Sequence, residues 1–151
     1  MSKATSKSTR RRAREYALQA IYQWYVAGNE PNDIQRSIAE DPPFAKIDQE
    51  FFKALFRGAV DKAPELEQTI GTALDRPYAE LSPIEKSILL LASYEFAHTP
   101  ETPFRVVMNE AIELAKSFGG TDGHKYVNGV LDKIGPKLRP EEKVDSDKSS
   151  S

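Results

Sequence analysis

Ser82-Pro83-Ile84-Glu85-Lys86-Ser87-Ile88-Leu89-Leu90-Leu91-Ala92 is the stretch on which the fold turns. Ser82 is an N-cap residue type, Pro83 takes the first helical position where its missing N–H costs nothing, and Glu85 completes a capping box. The run that follows is apolar nearly all round, and such a helix belongs in an interior. The spacing predicts a central buried helix ending at Thr99-Pro100. His98 falls in its last turn, where a protonated imidazole suits the helix C-terminus.

Working outward, the periodicity stays helical. Toward the C-terminus, Thr102-Pro103 opens a helix with Phe104, Val107, Met108, Ala111, Ala115 and Phe118 on one face, and Gly119-Gly120 stops it. Thr121 or Asp122 then caps a last helix with Val127, Val130, Leu131, Ile134 and Leu138 inward. Tyr126 lies beside that stripe, in helical register with Lys133 and Lys137.

Toward the N-terminus, Arg76-Pro77-Tyr78 reads as a linker between two halves. Leu66, Ile70, Ala73 and Leu74 form a periodic run that Pro64 separates from an earlier helix. That earlier helix carries Phe51, Phe52, Leu55, Phe56, Ala59 and Val60, with Asp48 as its cap. A short helix with Ile34 and Ile38 follows Pro31 and closes at Pro42-Pro43. The first helix is expected from Thr9 to just before Gly28, with Ala13, Tyr16, Ala17, Ala20, Ile21 and Trp24 inward. Tyr22 falls off that stripe, on the side of Arg11.

Six to seven helices with short connections and no convincing strand predict an all-α compact bundle, with sub-bundles over about 9–79 and 80–139. Residues 1–8 and 140–151 are polar, lack periodicity and read as disordered tails.

The 151 residues include no cysteine, which excludes disulfide scaffolds, thiolate zinc sites and cysteine nucleophiles and suits a reducing cytoplasm. The longest wholly apolar run, Ile88 to Ala92, is far short of the roughly 20 residues a membrane span needs. No apolar stretch follows the basic N-terminus, so no secretory signal is expected. The net charge of −2 conceals a segregation: residues 1–14 carry +6, residues 15–115 carry −9, and residues 116–139 carry +3. A polyanion is drawn to the two ends of such a chain rather than to its middle.

Catalytic readings fare poorly. Gly119-Gly120-Thr121-Asp122-Gly123-His124-Lys125 imitates a phosphate loop, but its spacing is wrong, Tyr126 stands where Ser or Thr is needed, and no strand precedes it. The two histidines lie 26 positions apart with no carboxylate at ligand spacing, and no nucleophile elbow exists. Glu110 and Glu113, one turn apart, read as a solvated face rather than an acid–base pair. No enzyme activity, metal or cofactor is expected.

The run Arg10-Arg11-Arg12-Ala13-Arg14 points elsewhere. Guanidinium forks match phosphate oxygens, and backbone charge dominates nucleic-acid affinity. A basic arm, an off-core Tyr22 and a second basic helix bearing Tyr126 suit single-stranded RNA, whose bases stack on ring faces. The competing reading is a solubilising arm with two half-buried packing tyrosines, on a helical protein–protein module that binds no RNA.

Three segments, in order and spacing over residues 9–140, resemble the NusB family. They are Arg10-Arg11-Arg12-Ala13-Arg14-Glu15 with Gln19-Ala20-Ile21-Tyr22 and Trp24, then Asn109 through Gly119, then His124 through Lys133 to Arg139-Pro140. The resemblance implies two perpendicular three-helix bundles and binding of boxA, a short single-stranded element of nascent ribosomal RNA. It also implies a partner, NusE, which is a ribosomal small-subunit protein, and a place in the RNA polymerase antitermination complex.

Carried over residue by residue, Arg10, Arg11, Arg12 and Arg14 match the basic arm. Tyr22, Asp122, Lys125 and Tyr126 match positions that bind RNA or tune its binding, and Glu85 matches the NusE-facing side. Tyr126 departs mildly from a frequent phenylalanine, and Leu90 stands where some relatives carry a basic residue. Some RNA methyltransferases carry a NusB-like domain, but 151 residues leave no room for their cofactor-binding domain.

Overall fold

The computed structural model describes residues 6–120 and 123–140. Among them the chain forms seven α-helices, two short 3-10 turns and no strand. It divides into two compact units at Asp61/Lys62. None of the helices is long and apolar enough to cross a membrane.

The first unit holds α1 (Ser6–Ala27), α2 (Pro31–Ala39), a 3-10 turn (Pro42–Lys46) and α3 (Gln49–Asp61). Helix α1 has formed by Ser6, earlier than the expected start at Thr9. Its opening residues include good helix formers, and nothing at Thr9 breaks the run. Thr9 is therefore not a cap; its carbonyl accepts the N–H of Asp48 at 3.4 Å. The expected stripe is buried through Ile21 and joined by Leu18, while Trp24 is only half-buried. Small Ala13, Ala17 and Ala20 face inward on α1, which packs mainly on α3.

Aromatic rings fill the interior of this unit. Phe44 meets Tyr16 edge-on at 5.4 Å and Phe52 at 5.1 Å, the offset geometry that ring quadrupoles favour. Burying each such ring contributes roughly 1.5–3 kcal/mol. Asp48 caps α3 by accepting the Phe51 N–H at 3.0 Å. Arg57 ties α3 to α2 by donating to Asn32 at 2.7 Å and Gln35 at 3.2 Å. Gly28 ends α1 with φ +68°, the left-handed conformation glycine takes without strain.

The second unit holds α4 (Ala63–Gly71), a 3-10 turn (Tyr78–Glu80), α5 (Pro83–His98), α6 (Phe104–Phe118) and α7 (Gly123–Leu138). Helix α5 packs against α4, α6 and α7, as an all-round apolar helix must. Its capping box is formed: the Glu85 N–H donates to Ser82 Oγ at 3.2 Å, and the Ser82 N–H donates to Glu85 Oε1 at 3.1 Å. Because α4 packs on α5 and α7, Arg76-Pro77-Tyr78 lies inside this unit, whereas the sequence placed the border between halves at 79/80.

Two features of the C-terminal unit escaped the sequence. Arg139, buried just beyond α7, closes the end of α5. Its Nε donates to Phe96 O at 3.1 Å, Nη2 to Glu95 O at 2.9 Å and Thr99 O at 3.0 Å, and Nη1 to Thr102 O. The last carbonyls of a helix lack the usual intrahelical partners; this guanidinium reaches Phe96 O and joins the Thr99 N–H and hydroxyl at Glu95 O. At Gly135 an added Cβ would lie 2.8 Å from the Phe104 ring, so glycine there permits α7 to approach α6.

Candidate nucleic-acid surface

The arginine run is split by the helix it sits on. Arg14, read from the sequence as part of the RNA-facing arm, is only 4% exposed, with its guanidinium 5.0 Å from the centre of the Phe51 ring. Four residues span about one turn, so Arg10 reaches the same ring at 4.0 Å and lies 3.7 Å from Asp48. These two cations help to hold α1 on α3. Arg11 and Arg12 are exposed, Arg12 in an ion pair with Glu15 at 3.4 Å. Arg12 also lines a groove of about 230 Å³ with Ser8, Thr9, Pro43, Lys46 and Ile47. Tyr22 is 40% exposed, on the Arg11 face of α1 and about 16 Å further along the axis.

The second unit gathers a different cluster. Tyr126, half-buried on α7, carries the Arg76 guanidinium 4.9 Å from its ring centre. Its hydroxyl donates to Asp75 Oδ1 at 3.4 Å, the same oxygen that receives Arg76 Nε at 3.0 Å. That bond from Arg76 is the main reason the exposed Asp75 carboxyl is held below its usual range. Burial is the main cause that raises the Tyr126 phenol, so it stays a neutral donor at physiological pH. Further along α7, Lys137 Nζ donates to Thr72 Oγ1 at 3.0 Å, and Lys125 and Lys133 are exposed.

Asp122 and Thr121 lie outside the described residues, as do 1–5 and 141–151 of the expected tails. Ser6–Ser8 belong to α1 instead of a tail. Glu85 is half-buried and occupied with its cap, and Leu90 is fully buried, so the latter presents no side chain to a partner. The expected solvated pair is half wrong: Glu113 is exposed and ion-paired with Lys116 at 3.7 Å, but Glu110 is only 6% exposed. The helical turn rotates Glu110 to the edge of the Val107–Ala111–Leu114 face. Phe118, expected inward, is 44% exposed; its face is buried only as far as Ala115.

Arg76 and Asp75 were missed because the acidic surroundings and Pro77 read only as a linker. Their one legible signal was a cation beside a turn. Arg139 was counted among cations available to a polyanion and is consumed inside the fold. Among the described residues no group of carboxylates and histidines could hold a metal ion.

Helices throughout, with cations and partly exposed rings in each unit, define an all-helical class of protein whose surface chemistry suits an extended anionic ligand. A NusB family model matches residues 11–136. The transcription antitermination protein NusB of Dechloromonas aromatica is 54% identical over 140 residues, covering 93% of this chain and 86% of that protein. The T. maritima NusB crystal structure superposes with a TM-score of 0.78 at 28% identity, covering 90% of this chain and 96% of that one. A chain from a crystal structure of antitermination factors NusB and NusE with double-stranded RNA gives a TM-score of 0.79 at 25% identity, covering 85% and 97%. The chain belongs to the NusB family.

Proposed function

We propose that this chain is a transcription antitermination factor that binds the boxA element of nascent ribosomal RNA, together with NusE, and helps RNA polymerase resist termination. It acts as an adaptor that holds both RNA and a protein partner. The observation that carries this reading is that each unit offers a ring and cations on its surface: Tyr22 with Arg11 on α1, and Tyr126 with Arg76 and Lys125 near α7. Rings accept unstacked bases and cations track the phosphates, a combination suited to single strands rather than a closed duplex.

Charge supports two partners. The middle of the chain, at −9, repels RNA and attracts a basic ribosomal protein, for which Glu85 is the proposed contact. Asp122, beside Lys125 and Tyr126 in sequence, weakens indiscriminate RNA binding, so Asp122→Asn strengthens it.

Fluorescence anisotropy with labelled boxA RNA, a scrambled strand and a duplex, each with and without NusE, tests the reading. Tighter binding of single-stranded boxA, enhanced by NusE, is expected. Equal binding of all three RNAs removes the boxA assignment. Capture of NusE with no RNA binding leaves a helical protein–protein adaptor.

A further inference from the structure

The segment Thr72–Arg76 belongs by sequence to the acidic middle, which should repel RNA, yet the fold lays it along the basic helix α7. Two contacts fix it there: Lys137 Nζ to Thr72 Oγ1 at 3.0 Å, and Tyr126 Oη to Asp75 Oδ1 at 3.4 Å. Arg76 is thereby set over the Tyr126 ring, 4.9 Å from its centre, with Asp75 gripping its Nε. Its side chain remains 44% exposed, so a strand approaching Tyr126 from solvent meets the guanidinium on that ring face.

We propose that Arg76 is an RNA-contacting residue: its guanidinium, held over the Tyr126 ring, is the surface on which a base of single-stranded RNA stacks. A guanidinium is planar, stacks on rings and bases alike, and keeps five donors at its edge for phosphate oxygens. Asp75 is a positioning residue; by bonding both the phenol and the guanidinium it sets the angle of the outer layer. Lys137, held against the same segment, adds a cation further along α7. The inference rests on the proposed RNA reading of Tyr126 and extends it to a segment outside both basic ends of the chain.

The test compares Arg76→Ala, Arg76→Lys and Tyr126→Ala in the full chain with NusE, titrated against single-stranded boxA RNA across a salt series. Stacking on a single base accounts for about a tenfold change in affinity, and one lost phosphate contact lowers the salt slope by about 0.7. Arg76→Ala is expected to show both losses with an unchanged melting temperature. Arg76→Lys should restore the slope while leaving most of the affinity loss, because an ammonium offers charge without a plane. If Arg76→Ala binds like wild type while Tyr126→Ala is weakened, the inference falls and the RNA reading stands. If neither variant is weakened, both fall. Full rescue by lysine overturns the stacking role.

Discussion

The arginine run of α1 and the Tyr126 cluster of α7 arrive at cationic surfaces by opposite routes. In α1 charge is dense in sequence, yet a helical turn directs Arg10 and Arg14 to Phe51 and leaves Arg11 and Arg12 outward. Around α7 charge is sparse in sequence, and Arg139 is spent on the end of α5. The fold compensates by delivering Arg76 from a net acidic segment. Counting charges along a chain thus locates a basic region but not its working residues. Those depend on which cations the fold uses for itself.

That contrast can be broken most severely at Arg139. Arg139→Ala removes the buried donor that reaches Phe96 O at the end of α5 and Thr102 O beyond it, and should lower unfolding free energy by about 3 kcal/mol in urea titrations. The fraction that remains folded should bind RNA as wild type does. A stable variant with weakened binding would place Arg139 among the RNA contacts instead. Gly135→Ala forces a methyl group into the Phe104 ring and should cost roughly 1–3 kcal/mol by the same assay.

The α1 arginines sharpen the comparison at smaller energies. Arg14→Ala is expected to cost about 1 kcal/mol through lost packing and cation–π attraction, with no change in salt slope. Arg11→Ala with Arg12→Ala should do the reverse: stability within about 0.5 kcal/mol of wild type and a slope lower by about 1.4. Identical behaviour of the two sets in both assays would erase the distinction drawn here.

Tyr16 gives the smallest effect. Burial, aided by Asp41, raises its phenol, so its stabilisation is fully present below the ordinary tyrosine range and is lost as pH rises through the folded value. Tyr16→Phe should flatten that alkaline decline in thermal melts. An unchanged decline would mean that another group titrates there.

Much of the fold was legible because its signals are local. The Ser82 capping box, the Asp48 cap and the stop at Gly119-Gly120 each follow from one or two residues, and each formed where the spacing placed it. What was not legible depends on chain segments far apart in sequence. The burial of Glu110, the exposure of Phe118, and Arg139 reaching across to Phe96 are settled by which helix lies alongside, and periodicity within one helix carries no such information. The same holds for the candidate site. The ring of Tyr126 was visible as an aromatic beside a stripe, whereas the guanidinium covering it comes from a residue 50 positions earlier.

Ultraviolet crosslinking of single-stranded boxA RNA to the NusE-bound protein, followed by peptide mapping, addresses the account at its centre. Adducts are expected in two peptides, one containing Tyr22 and one containing Tyr126. Adducts confined to other parts of the chain, with both tyrosine peptides unmodified, would contradict it.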